Sequence, residues 1–239
     1  MKLNDYVLAH STEEIKVLKE LDRTTHLNVL RPRMLSGHEQ GMLLYLLVKM
    51  LKPQRILELG TYTGYSAISM ARGLEEGGQL ISIDKNDELY PFAQQFVEKA
   101  NLQDKIRLLS GDAKEVVKTL DDTFDLVFVD ADKREYIAYY DLLFDKVKQG
   151  GFILADNVLW DGKVLEDTPD DDAQTQGILA FNEYIQKDVR VIAMIFLICS
   201  ALMSPFTFAT IVALSSSSSE RTISKLPIML SFDFFHKRK

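Results

Sequence analysis

The sequence predicts an α/β fold, a doubly wound and mostly parallel sheet flanked by helices on both faces. Two observations lead there. From Arg55 to about residue 187, short apolar runs of strand length alternate with longer amphipathic stretches, the pattern of strands joined by crossover helices. The first of those runs, Arg55-Ile-Leu-Glu-Leu59, enters a turn punctuated by Gly60 and Gly64, where the backbone can bend sharply and a ligand can approach main-chain amides. The spacing is Gly-x-x-x-Gly, not the Gly-x-Gly-x-x-Gly of dinucleotide sites.

Taken in order, Ser11-Thr-Glu-Glu14 reads as a capping box opening a helix that carries Ile15, Val17, Leu18 and Leu21 at helical spacing. Ser36-Gly-His-Glu39 repeats that logic before Met42–Leu51, a helix apolar on most of its surface and therefore expected to lie deep, with Pro53 stopping it. Between them, Arg31-Pro-Arg-Met-Leu-Ser36 is an irregular linker, placed either to fold over a ligand or simply to cross the surface. Strands are expected at about 55–59, 80–84, 106–109, 124–129 and 151–155. Helices are expected at about 64–73, 87–100, 113–120, 134–148 and 172–187.

In parallel sheets ligands sit at the carboxyl ends of the strands, so the acids found there are the candidates. Glu58 is costly to bury without a partner, and either meets a ligand or is paired within the fold. Asp84 ends the second strand, where a carboxylate can accept both hydroxyls of a ribose or cap the next helix. Asp112 has the same two readings, with an exocyclic adenine amine as the ligand group. Asp130 and the pair Asp156-Asn157 end the fourth and fifth strands. Two carboxylates that close repel unless a cation lies between them, and three oxygen donors suit Mg²⁺ or Ca²⁺, whereas helix capping is the plain alternative.

The balance of charge narrows the partners. A net charge of -7 argues against nucleic acid, which wants clustered Lys and Arg. Cys199 is the single cysteine, so no internal disulfide forms and a reducing, cytoplasmic setting is expected. The stretch from Met1 to Asp5 lacks the apolar run of a secretory signal.

Five segments in order, Glu-Leu-Gly-Thr-Tyr-Thr-Gly-Tyr-Ser (58–66), Ile-Asp (83–84), Gly-Asp-Ala (111–113), Phe-Val-Asp-Ala-Asp-Lys (128–133) and Asp-Asn-Val-Leu-Trp-Asp-Gly-Lys-Val (156–164), are shared with one family. Over about Met34 to Arg190 the chain resembles the cation-dependent, S-adenosylmethionine-dependent O-methyltransferases of the caffeoyl-CoA and catechol type. The resemblance implies a Rossmann-like methyltransferase fold in which Glu58, Gly60, Thr61, Ser66, Asp84, Asp112, Ala113 and Asp130 lie around S-adenosylmethionine, with Met34 and Ser36 closing over it. It implies Asp130, Asp156 and Asn157 as ligands of a divalent cation, Mg²⁺ before Ca²⁺ or Mn²⁺, and Lys133 as the catalytic lysine, its pKa lowered by that cation. A phenolic small molecule as substrate and a homodimer follow from the same resemblance. Trp160 and Tyr136 are placed to wall an aromatic acceptor or to pack, and Tyr139 and Tyr140 suit core or interface.

The resemblance stops after Arg190, so the methyltransferase domain is set at 1–190 and the tail at 191–239. The family has there a strand, an Asp-Gly turn and a last strand inserted into the sheet. Here Val191 to Ser219 contains no charged residue and ends in five serines. A bilayer span over 191–214, an ending disrupted by insertion or a shifted reading, and an alternative strand pair with 189–198 as the sixth strand are the three accounts. A relative that binds cofactor without turning over, attached to a membrane by the tail, is the corresponding functional alternative.

Overall fold

The computed structural model describes residues 3–198 and 228–234, and the chain divides into two compact units, Met1–Ala113 and Lys114–Lys239. The first unit begins with three helices, α1 (Leu3–Ala9), α2 (Lys16–Asn28) and α3 (Gly37–Leu51). The capping box expected at Ser11 does not form. Ser11 Oγ donates to the carbonyl of Val7, one turn back at the end of α1, and α2 starts at Lys16 with no side-chain cap. A serine hydroxyl takes the nearest carbonyl that helix geometry leaves open, and here that carbonyl precedes it. Glu14 instead accepts from Tyr65 Oη. Ser36 likewise makes no capping bond, because its own backbone is already helical.

Helix α3 buries one face only. Gln40, Gly41, Leu44 and Val48 are inside, whereas Leu46 and Met50 stand in water, which corrects the expectation of a helix sunk on most sides. The buried face packs on α4 (Tyr65–Gly73), and glycines set how closely. A Cβ at Gly41 would lie 2.6 Å from the Tyr65 ring, and one at Gly73 would lie 2.8 Å from Val48.

Three parallel strands, β1 (Arg55–Leu59), β2 (Gln79–Asp84) and β3 (Ile106–Ser110), lie in the order β3-β2-β1, joined by α4 and α5 (Tyr90–Lys99). Ile56, Leu57, Leu59, Leu80 and Ile83 are all buried, the continuous apolar run of strands covered on both faces. The register sets Glu58 beside Ser82 and Asp84 beside Ser110.

In the second unit, β4 (Phe124–Val129), β5 (Val147–Asp156), β6 (Ile192–Ile198) and β7 (Ile228–Phe234) are parallel, in the order β4-β5-β7-β6. Helices α6 (Ala113–Lys118), α7 (Tyr136–Phe144) and α8 (Ala173–Lys187) accompany them. The helix expected to reach residue 148 stops at Phe144, because Val147 already pairs with Phe124. A register shift then carries the pairing from there to Leu126 opposite Phe152. Of the three accounts of the ending, the strand pair set a sixth strand at 189–198; β6 occupies Ile192–Ile198 of that stretch, and β7 inserts between it and β5. Residues 199–227 lie outside the described residues, and with them Cys199, the serines and most of the charge-free run. Among the described residues no helix is long and apolar enough to cross a membrane.

Candidate active site

The first unit assembles a cradle at the carboxyl ends of β1 and β2. Glu58 is fully buried, and its Oε2 accepts from Ser82 Oγ, the residue set beside it by the strand register. Ser82 has one hydroxyl proton and gives it to Glu58, so Thr61, whose Oγ1 lies 2.5 Å from Ser82 Oγ, is the donor in that contact. The turn that follows needs its glycines: φ is 102° at Gly60 and 89° at Gly64, left-handed values that a side chain resists. Ser66 sits buried in the first turn of α4.

Asp84 is oriented from both sides, Oδ2 accepting from Tyr62 N at 2.7 Å and Oδ1 from Asn86 N at 2.9 Å. Gly111 N donates to Asp84 O at 2.9 Å, which brings the Asp112-Ala113 turn alongside. Thr61, Tyr62, Asp84, Asn86, Tyr90 and Ser110 are among the residues lining a shallow cleft. The linker reaches this place through Tyr62, whose Oη lies 3.2 Å from the carbonyls of both Leu30 and Arg31. Burial raises the Tyr62 pKa, so the phenol remains a donor. Met34 ends the short turn Pro32–Met34 with its side chain mostly exposed, and Ser36 follows at the start of α3.

The second unit gathers the other candidates where β4 and β5 end. Lys133 lies in a short 3-10 turn, Lys133–Glu135, and its side chain is only 5% exposed. Its Nζ donates to Asp130 Oδ1 at 2.7 Å and to Tyr136 Oη at 2.6 Å. Asp156 is buried and its Oδ1 accepts from Asn157 N at 2.8 Å; Asn157 itself has a left-handed φ of 57°. Strained backbone of this kind persists where surrounding structure holds it, and it concentrates at functional sites. Beyond it, Trp160 and Asp161 also have positive φ, at 49° and 56°.

Burial alone would lower the Lys133 pKa, but Asp130, Tyr136 and Asp156 together outweigh it and hold the pKa above the ordinary lysine value. That balance belongs to the carboxylates alone; the expected lowering concerns the same lysine with a cation beside them. Tyr136 is pushed up as well, chiefly by burial. Among the described residues no three His, Cys, Asp or Glu side chains gather to hold a metal ion. The expected set is smaller, two carboxylates and one amide, yet its chemistry fits a hard cation. The two acids already converge on one positive charge, and water or substrate oxygens complete such shells.

Several functional partners were not legible in the sequence. Ser82 and Tyr62 fix Glu58 and Asp84, and Gln174 from α8 accepts from Lys133 N at 3.2 Å while donating to Asp132 Oδ1 at 3.1 Å. Gly177, one turn on, lets α8 lie against the Lys133 turn, since a Cβ there would come 2.6 Å from Lys133 O. Ser82 alone carried a signal: a hydroxyl in an apolar strand, one strand over from a buried acid.

Comparison with known proteins places the chain among O-methyltransferases. The O-methyltransferase family profile matches residues 8–203. A caffeoyl-CoA O-methyltransferase from Populus kitakamiensis is 36% identical over 163 residues, covering 64% of this chain and 69% of the relative. A flavonoid 3',5'-methyltransferase from Vitis vinifera is 32% identical over 164 residues, 64% of this chain and 70% of the relative. Among solved structures, an O-methyltransferase from Bacillus cereus in complex with SAH superposes with a TM-score of 0.73 at 30% identity, over 79% of this chain and 86% of that one. TomG from Streptomyces achromogenes, an O-methyltransferase in complex with SAM, gives 0.73 at 29% identity, over 79% and 85%. With a Rossmann-like α/β fold and a profile match spanning most of its length, the chain belongs to the S-adenosylmethionine-dependent O-methyltransferase family.

Proposed function

We propose that this enzyme moves a methyl group from S-adenosylmethionine to a hydroxyl of a catechol-like or caffeoyl-type aromatic, and that it requires a divalent cation. The observation that carries the reading is Lys133, a buried ammonium 2.7 Å from Asp130 and within the field of Asp156, at the ends of two adjoining strands. The relatives from Populus and Vitis, named for phenolic acceptors, support the acceptor class.

In the reaction the acceptor oxygen forms a bond to the methyl carbon as the carbon–sulfur bond breaks, and the hydroxyl loses its proton. When bound, S-adenosylmethionine supplies the methyl on a sulfonium, and the cation supplies a fixed positive charge that acidifies a chelated hydroxyl. Glu58, Gly60, Thr61, Ser66, Asp84, Asp112 and Ala113 would bind the cofactor, with Met34 and Ser36 closing over it. Asp84 is suited to ribose hydroxyls because the amides of Tyr62 and Asn86 each hold one of its oxygens in place, and each carboxylate oxygen has a second lone pair to offer. Asp130, Asp156 and Asn157 would hold the cation. With the cation bound, Lys133 would be the neutral amine and would take the hydroxyl proton at Nζ. Its carboxylate neighbours favour the ammonium, and committing them to a cation leaves burial, which lowers its pKa, less opposed.

The test is methyl transfer from labelled S-adenosylmethionine to caffeoyl-CoA and catechol by wild type, Lys133→Ala and Asp130→Ala. Both variants should lose on the order of a hundredfold or more in kcat, and Lys133→Ala should keep its affinity for S-adenosylhomocysteine. Full activity in Asp130→Ala would sink the proposal.

A further inference from the structure

Tyr136 stands at the start of α7, fully buried, and its ring packs edge-on against Phe181 of α8 with centroids 5.2 Å apart. Its hydroxyl does more than fill space. It accepts from Lys133 Nζ at 2.6 Å, and its own proton is directed between two carbonyls, Val129 O at 3.1 Å and Asp156 O at 3.0 Å. Those carbonyls mark the place where the β4–β5 pairing ends, since Val129 opposite Ala155 is its last step. Beyond that step the ladder no longer fixes the spacing of Asp130 and Asp156. The phenol takes over where the ladder stops.

We propose that Tyr136 is a positioning residue, whose hydroxyl ties the Lys133 ammonium and the ends of β4 and β5 into one frame and so sets the spacing of Asp130, Asp156 and Asn157. The inference rests on the metal-dependent reading above. Tyr136 need not touch the substrate: it donates and accepts through groups of this chain alone. Removing the hydroxyl leaves the ring in place and frees both strand ends and Lys133 Nζ from their common partner. Groups that orient metal ligands from behind typically change metal affinity or activity by about 10–100-fold when lost.

The experiment compares wild type, Tyr136→Phe and Phe181→Leu. Three quantities are read: Mn²⁺ affinity of the cofactor-free protein by electron paramagnetic resonance, S-adenosylhomocysteine affinity, and kcat against KM with Mg²⁺. Tyr136→Phe should weaken Mn²⁺ binding about 10–100-fold and lower kcat more than it raises KM, with S-adenosylhomocysteine affinity unchanged. Phe181→Leu, which loosens the same ring but keeps the hydroxyl, should bind Mn²⁺ as wild type does. Wild-type Mn²⁺ affinity and kcat in Tyr136→Phe would overturn the inference, as would equal losses in Phe181→Leu, which would reduce the role to packing. A wild-type protein that binds no Mn²⁺ and transfers methyl without metal would instead overturn the functional reading on which the inference stands.

Discussion

Ser82 shows how a single hydroxyl settles the fate of a buried acid. Glu58 lies at 0% exposure, and a carboxylate there survives because donors are brought to it: Ser82 gives its proton to Glu58 and receives one from Thr61. Ser82→Ala removes the middle of that relay, so Glu58 loses this donor and Thr61 its acceptor. The expected loss of stability is about 1–3 kcal/mol, the usual cost of stranding a buried polar group, read as a shift in the urea midpoint at unchanged m-value. A midpoint within error of wild type would mean that Glu58 is held by something other than this hydroxyl. At this scale the sequence named the acids but not their keepers. Glu58, Asp84, Asp130 and Asp156 could be picked out because an acid ending an apolar strand is unusual in itself. Tyr62 and Gln174 could not, because their roles depend on chain placement that no local pattern records, and Ser82 showed only as a hydroxyl in an apolar strand until the register set it beside Glu58.

Helix α8 illustrates the same point for an element. Its N-terminus is capped by Asp172, whose Oδ1 accepts from Thr175 N at 3.1 Å and whose Oδ2 accepts from Thr175 Oγ1 at 2.8 Å and pairs with Lys163 at 3.0 Å. The bond from Lys163, then those from Thr175, bring the Asp172 pKa from its ordinary 3.8 down to about 2. A carboxyl depressed in the folded state stabilises the protein above its unfolded pKa, and that contribution fades as pH falls through the folded value. Asp172→Ala should therefore lower Tm at pH 7, with the gap from wild type closing between about pH 4 and about pH 2. A gap constant over that window would show that charge on Asp172 contributes nothing to the cap. The start of α8 was legible within a residue, as were β1 and β4, whose apolar runs are bounded by charge, glycine or acid on each side. The Ser11 box failed because the motif says nothing about α1, whose end competes for the same hydroxyl. Helix α7 was read too long because amphipathic spacing continues past Phe144 into residues that pair as strand.

For the molecule as a whole, the class of fold followed from the alternation of short apolar and longer amphipathic segments, and the solved relatives share it over 79% of the chain. The ending was less legible. An uncharged run offers neither the period of a helix nor the alternation of a half-buried strand, so periodicity leaves a buried strand and an apolar helix equally open. In the structure its first part, Ile192–Ile198, is a strand, and β7 returns to lie between it and β5. All the residues assigned to cofactor, cation and proton precede that return, and the tail meets them through β7, which pairs with β5 as far as Asp156 opposite Phe232. The central claim is that the acids at the ends of β4 and β5 act through a bound cation. The most direct test is the rate of methyl transfer to a catechol, measured with saturating Mg²⁺ and again with excess chelator. The rate should fall to background with chelator and return when Mg²⁺ is added beyond it; a rate that chelator leaves unchanged would contradict the account.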